Sequence, residues 1–193
     1  MRQSFHDRDA LLIVDVQCDF LPGGALAVPD GHAVVPVLNR YIAHATEAHV
    51  PVFASRDWHP HGHVSFRQRG GPWPVHCVTD TEGADFAPDL ELPSDAAVIS
   101  KATTADADAY SAFAGTGLAD TLRSRNVQRL WIGGLATDYC VLNTVLDARK
   151  ANFEVLYLDD GSRAVDVKPG DGARAVARMR EAGAIPLRLA DVE

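Results

Sequence analysis

The amino-acid sequence predicts an α/β fold: a three-layer α/β/α sandwich on a six-stranded, mostly parallel sheet. Short apolar runs alternate with helix-periodic segments along the whole chain, and strand–helix alternation calls for crossover connections, hence parallel strands with helices on both faces. The length of 193 residues suits one such domain, spanning 1–193, with a sizeable core. Right-handed crossovers then bring the carboxyl ends of the strands to one edge, where open sheets of this kind bind ligands. Polar, chemically pointed residues follow four of the runs.

In chain order, residues 10–16 form a continuous apolar run that suits a buried strand and ends at Asp15. Residues 33–49 place Val34, Val37, Leu38, Tyr41, Ile42 and Ala45 at helical spacing. A second strand is predicted at 51–55, and a third at 96–100, just before Lys101. Helix at 115–125 leads into a fourth strand at 127–133, then a Gly-bearing turn, then a helix over 138–151 that carries Cys140. Strand at 153–158, helix at 169–182 near Pro169, and strand at 184–189 complete the pattern. Residues 56–95 lack a periodic element; a loop this long inside a compact domain is usually functional, and Trp58, Phe66, Trp73 and Phe86 argue against plain disorder.

Composition narrows the function classes. Hydrophobic residues make up 47% and the net charge is −8, which argues against a general nucleic-acid or membrane-surface role, since that would call for a basic face. No apolar run is long enough to span a bilayer, and the polar Met1–Asp9 segment has no signal-peptide core. Three irregularly spaced cysteines do not make a disulfide scaffold, so a reducing cytoplasm is expected. The acidic surface does not decide between monomer and homo-oligomer.

Two constellations carry chemistry. Asp15, Lys101 and Cys140 follow three different strands, so a parallel sheet gathers an acid, an ammonium and a thiol at one edge. A lone cysteine is more often a small core residue; here its place at a helix start favours thiolate, and nearby N–H groups could hold an oxyanion. Asp15 could accept the thiol proton, the pair then sharing one proton. In the second constellation, Asp57 and His59 lie two apart in extended chain and can grip one ion, His76 offers a distant imidazole, and His63 is a candidate fourth ligand. That donor set suits one divalent ion, zinc first, with Fe2+ or Mn2+ as alternatives. His61 reads as a bystander, Cys77 as an apolar filler, and Cys18 has no partner that would make it a nucleophile.

Together these residues resemble the nicotinamidase (pyrazinamidase) family of the isochorismatase-like superfamily. The resemblance runs from about residue 10 to 190. Its motifs are Asp15-Val16-Gln17-Cys18-Asp19-Phe20, Asp57-Trp58-His59-Pro60 with His63-Val64-Ser65-Phe66, Trp73-Pro74-Val75-His76-Cys77, Lys101, Tyr110-Ser111-Ala112-Phe113, and Gly134-Leu135-Ala136-Thr137-Asp138-Tyr139-Cys140-Val141. The resemblance implies an isochorismatase-like hydrolase fold and hydrolysis of nicotinamide to nicotinate and ammonia through a thioester, with pyrazinamide as a second small-molecule substrate and NAD salvage as the setting. By resemblance, Asp15, Lys101 and Cys140 match the catalytic triad, and Asp57, His59 and His76 match the metal ligands, joined in some members by the histidine that His63 matches. Phe20, Trp73 and Tyr110 match aromatic residues around the pyridine ring, with Leu135 and Tyr139 beside them. The Leu135–Ala136 bond matches a cis peptide that aims the Ala136 N–H into an oxyanion hole shared with Cys140. Cys18, Tyr139 and Ala102 stand where the family often has Asn, His and Gly, departures that bear on substrate preference and rate. The alternative is another amidase or isochorismatase-like hydrolase of the same superfamily; a non-catalytic metal or pyridine-ligand binding module is a third reading.

Overall fold

In the computed structural model, which describes residues 2–193, the strands are β1 (Asp9–Val14), β2 (Val52–Asp57), β3 (Ala97–Lys101), β4 (Arg129–Leu135), β5 (Glu154–Arg163) and β6 (Ile185–Leu187). Four α-helices connect them: α1 (Val34–Glu47), α2 (Leu118–Ser124), α3 (Leu142–Lys150) and α4 (Asp171–Glu181). The strands form one sheet in the order β3-β2-β1-β4-β5-β6, every pair parallel. The chain runs outward from β1 to β3, then returns to β4 on the other side of β1. That reversal opens a crevice between the carboxyl ends of β1 and β4, the usual ligand position in open α/β sheets.

Alternation along β1 divides the core. Leu11 and Ile13 face one layer with Leu38, Tyr41 and Ile42 of α1, Trp131 and Leu156. Leu12 and Val14 face the other layer with Leu118 and Leu122 of α2, Val145 of α3, and Ala175 and Met179 of α4. Period-2 strand faces thus meet period-3.6 helix faces on both sides of the sheet. On the α1 side, Cys77, Ala84, Ala87 and Leu90 of the long connection between β2 and β3 join the same core. The connection is therefore a packed wall, pinned by bridges His59–Val78, Phe66–Trp73 and Gln17–Phe86.

Three boundaries differ from the sequence expectations in ways that shape the site. β1 stops at Val14 because Asp15 turns into the left-handed region with φ 49°. β4 runs through Gly134 to Leu135, past the predicted end at Gly133 and into the expected turn. A Cβ on Gly134 would lie 2.1 Å from the Val14 carbonyl oxygen, and its φ is 135°, so only glycine lets β4 pass β1 this closely. Finally, the predicted helix over 138–151 begins as a π-helical turn, Thr137–Val141, before α3 starts at Leu142. The i to i−5 bond from the Val141 N–H to the Ala136 carbonyl widens that turn. β5 also continues past the predicted end to Arg163, with a register irregularity opposite Ile132 and Gly134.

Candidate active site

Three strand ends deliver the first group. Asp15 follows β1, Lys101 closes β3, and Cys140 sits in the π-helical turn after β4. All three are buried, and carboxylate oxygens of Asp15 and Asp57 and the Cys140 sulfur lie within 4.8 Å of one another. Lys101 joins them: its Nζ is 2.9 Å from Asp15 Oδ2 and 3.5 Å from Cys140 Sγ, and donates to Asp57 Oδ1 and, at 3.1 Å, to the Ala109 carbonyl. Removing this ammonium would leave two buried carboxylates uncompensated, a situation that typically costs about 3–5 kcal/mol.

Asp15 is held by Ser55, whose hydroxyl donates to Oδ1 at 2.7 Å. Oδ2 has the ammonium as ion-pair neighbour but accepts no well-directed hydrogen bond among the described residues, which leaves a lone pair for the thiol proton. Burial raises the Asp15 carboxyl above the usual carboxylate range; Lys101 opposes this and Asp57 adds to it. Burial also pushes the Cys140 thiol well up, against Lys101, with Asp15 and Asp57 reinforcing the rise. Burial thus works against the thiolate that the helix start was expected to favour, and a base beside the sulfur offsets it. For Lys101 itself, burial pulls the ammonium down, but Asp15, Asp57 and the Cys140 sulfur overcome it and hold its pKa well above the ordinary lysine value.

Asp57, His59 and His76 form the second group, all buried, with ligand atoms within 4.8 Å of one another. Each imidazole has Nδ1 against a main-chain carbonyl: His59 against His76 at 3.0 Å and His76 against Pro74 at 2.8 Å. With the proton on Nδ1, both Nε2 lone pairs are left for a ligand, as in metal-binding histidines generally. Burial lowers His59 to about 4, Asp57 opposing, so its ring is neutral at pH 7. Burial raises Asp57, but Lys101 and His59 outweigh it and its pKa is lowered. Two imidazoles and one carboxylate fit a divalent ion.

His63 is not brought into that set. Its Nδ1 lies 2.8 Å from the Ser65 hydroxyl and its Nε2 3.1 Å from the Ala107 carbonyl, and its ring stacks on that of His59 with centroids 4.2 Å apart. It groups instead with His59 and the exposed Asp108. Cys77 is fully buried, its thiol pushed well up by burial, and is not grouped with the three ligands; Cys18 is half-buried beside the Phe86 carbonyl, and His61 is exposed.

A cavity opens over both groups, lined by Phe20, Trp73, His76, Tyr110, Ala136, Tyr139 and Cys140 together with Asp57, Leu26, Val28 and Val165. The Trp73 indole N–H donates to the Tyr110 hydroxyl at 3.0 Å, and the Tyr139 ring meets Trp73 edge-on at 5.0 Å. Leu135 is buried beneath, and its peptide bond to Ala136 is cis. The walls are thus aromatic and apolar, while the polar groups converge at one end, the arrangement of a small-molecule site. Sequence reasoning missed Ser55, Leu26, Val28 and Val165. Ser55 had a signal, a polar residue on the same strand face as Asp57; Val165 had none, since it is drawn in by Asp138, whose carboxylate accepts the N–H groups of Val165 and Asp166.

Residues 9–191 match the isochorismatase domain family. The chain is 42% identical to the nicotinamidase of Escherichia coli (strain K12), covering 95% of this chain and 96% of that one. It is 43% identical to the nicotinamidase/pyrazinamidase of Mycobacterium tuberculosis (strain ATCC 25618 / H37Rv), again over 95% and 96%. The chain belongs to the nicotinamidase/pyrazinamidase family of isochorismatase-like hydrolases. Solved structures of similar proteins agree in fold: the pyrazinamidase of Pyrococcus horikoshii in complex with zinc has a TM-score of 0.91 at 49% identity, covering 94% of this chain and 99% of that one. PnC1 from L. infantum in complex with nicotinate also has a TM-score of 0.91, at 36% identity over 100% and 99%. As a member of the nicotinamidase/pyrazinamidase family the protein is an amidohydrolase of that type, and its Asp57–His59–His76 set answers to a divalent metal cofactor.

Proposed function

We propose that this protein is a nicotinamidase: it hydrolyses nicotinamide to nicotinate and ammonia through a thioester on Cys140, accepts pyrazinamide as well, and serves NAD salvage in the cytoplasm. One observation carries the reading. A single buried ammonium, Lys101, touches the acid, the thiol and a carboxylate of the metal-ligand set, so substrate anchoring and nucleophilic attack share one small space. The zinc and the nicotinate in the similar solved structures support the same reading, and three free thiols fit a reducing compartment.

A divalent ion held by Asp57, His59 and His76 would supply an electrophilic anchor for the ring nitrogen of the substrate. Two imidazoles and a carboxylate favour zinc, with iron or manganese as alternatives. Phe20, Trp73, Tyr110, Leu135 and Tyr139 hold the flat ring by apolar and stacking contact and set the carboxamide carbon over Cys140. Asp15 Oδ2 takes the thiol proton as the sulfur attacks. Because Lys101 lies 2.9 Å from that oxygen and 3.5 Å from the sulfur, the transfer moves negative charge between two positions that share one cation. The oxyanion rests on the N–H groups of Ala136 and Cys140, where losing one donor costs about 3 kcal/mol. Asp15 returns the proton to the departing ammonia, then deprotonates the water that cleaves the thioester.

The test is ammonia release from nicotinamide with and without a chelator, with elemental analysis of the purified protein. Stoichiometric metal, loss of turnover on chelation and recovery on adding zinc are expected. Pyrazinamide should be cleaved, and benzamide, which lacks the ring nitrogen, should be poorer by about tenfold or more in kcat/KM. A protein without stoichiometric metal that cleaves benzamide equally well would point to another hydrolase of the superfamily.

A further inference from the structure

The ligand Asp57 has an unusual support. In the parallel ladder between β1 and β2, the Asp15 N–H donates to the Ser55 carbonyl at 3.1 Å, and the next bonds would join the Asp57 peptide groups to a continued β1. No such continuation exists, because Asp15 turns away and its carbonyl instead accepts the Gln17 N–H at 3.0 Å. The orphaned main chain of Asp57 is taken by the Gln17 side chain. Its Oε1 accepts the Asp57 N–H at 2.8 Å, and its Nε2 donates to the Asp57 carbonyl at 2.8 Å. The second Nε2 proton goes to the Ala84 carbonyl at 2.9 Å, which ties the long connection to the same point. Gln17 is fully buried. A side-chain amide has the donor and acceptor of one peptide unit, so Gln17 stands in for a missing strand residue on one side of Asp57. On the other side the Trp58 N–H bonds the Lys101 carbonyl at 3.1 Å.

We infer that Gln17 is a positioning residue for metal binding: its amide clamps the main chain of Asp57 and so fixes the carboxylate between the two imidazoles and Lys101. The inference rests on the metal site proposed above and adds the group that holds its carboxylate ligand in place. Burial of an amide with all three bonds made is favourable only while the partner peptide stays put. An apolar side chain of the same length fills the space and leaves the Asp57 N–H and carbonyl unpaired. The strand end is then free to shift, and groups that orient metal ligands typically govern affinity by about 10–100-fold.

The experiment compares zinc affinity, by competition with a chromophoric chelator, in wild type, Gln17→Met and Leu122→Ala. Leu122 lies in the opposite core layer, so Leu122→Ala lowers stability without touching the clamp. Zinc binding about 10–100-fold weaker in Gln17→Met, and unchanged in Leu122→Ala, is the expected result. Equal affinity in folded Gln17→Met and wild type overturns the inference, as does equal weakening in both variants. Wild-type protein that binds no zinc overturns the metal site itself, a separate outcome. Should Gln17→Met not fold, the wild-type side-chain amide protons of Gln17 are followed by NMR during zinc titration. Slowed exchange with a shifted resonance supports the clamp, and signals unmoved by zinc overturn it.

Discussion

Cys140 shows how burial shapes a nucleophile. The same enclosure that would shelter a thioester from bulk water also disfavours the thiolate, so reactivity has to come from Asp15 at the moment of attack rather than from a permanently ionised sulfur. Cys140→Ala should therefore cut ammonia release by at least about 10⁴-fold while zinc and nicotinate binding persist by calorimetry, because the three metal-ligand side chains and the aromatic walls are left intact. Near-normal turnover in that variant would rule out the thioester route. The triad was legible in sequence because each member follows a strand, and parallel topology alone gathers strand ends. Ser55 showed only as a polar residue on the strand face of Asp57, and the clamp made by Gln17 did not show, since the role of each depends on where Asp15 leaves the ladder, a backbone turn at φ 49°. His63 was legible as a candidate fourth ligand in the loop. Its bonds to Ser65 and Ala107, and its grouping with His59 and Asp108 rather than with Asp57 and His76, are not revealed by spacing.

Among the elements, β4 carries the tightest constraint. Gly134 passes the Val14 carbonyl so closely that any side chain collides with main chain, and the flanking residues lead directly to Ala136 and Cys140. Gly134→Ala should cost at least about 2 kcal/mol in urea unfolding, from strain at positive φ and from parting β1 and β4. It should also lower kcat, because widening that seam separates Asp15 from Cys140. A variant of wild-type stability and rate would show that the seam has slack. Apolar runs and helical periodicity made strand and helix identity readable, as in β1 and α1, where burial pattern and period agree. They could not show that β4 continues through Gly134, because Gly-Gly carries the same turn signal in either setting. Nor could they show the π-helical turn at Thr137–Val141, which depends on displaced backbone hydrogen bonds, from the Val141 N–H to Ala136 and from the Leu142 N–H to Thr137, rather than on residue type.

Over the whole molecule, the reversal of strand order between β1 and β4 stacks ionisable groups in one buried crevice, and this ties global stability to pH. His59 is the clearest case: burial lowers its pKa to about 4, Asp57 opposing, whereas in the unfolded chain an imidazole titrates near 6.5. Between those values the unfolded state binds a proton that the folded state refuses. The stabilisation is therefore complete above about pH 6.5 and is lost as pH falls toward 4, by up to about 3 kcal/mol for the metal-free protein. Asp15, with its carboxyl raised by burial, works in the opposite sense, since its contribution is present below the unfolded carboxylate value and is lost as pH rises through its folded pKa. Asp57, with a lowered pKa, loses its contribution only at still lower pH than His59 does, and the raised pKa of Lys101 matters only in the alkaline range. The histidine is isolated by comparing metal-free wild type with His59→Asn, whose amide can still donate to the His76 carbonyl but cannot titrate. The stability difference between the two, from urea unfolding at pH 7 and pH 4.5, should move against wild type by most of that amount on acidification. A difference that stays constant across the range would mean that His59 takes up its proton as readily in the folded protein as in the unfolded chain. The crevice would then be wetter than its packing implies.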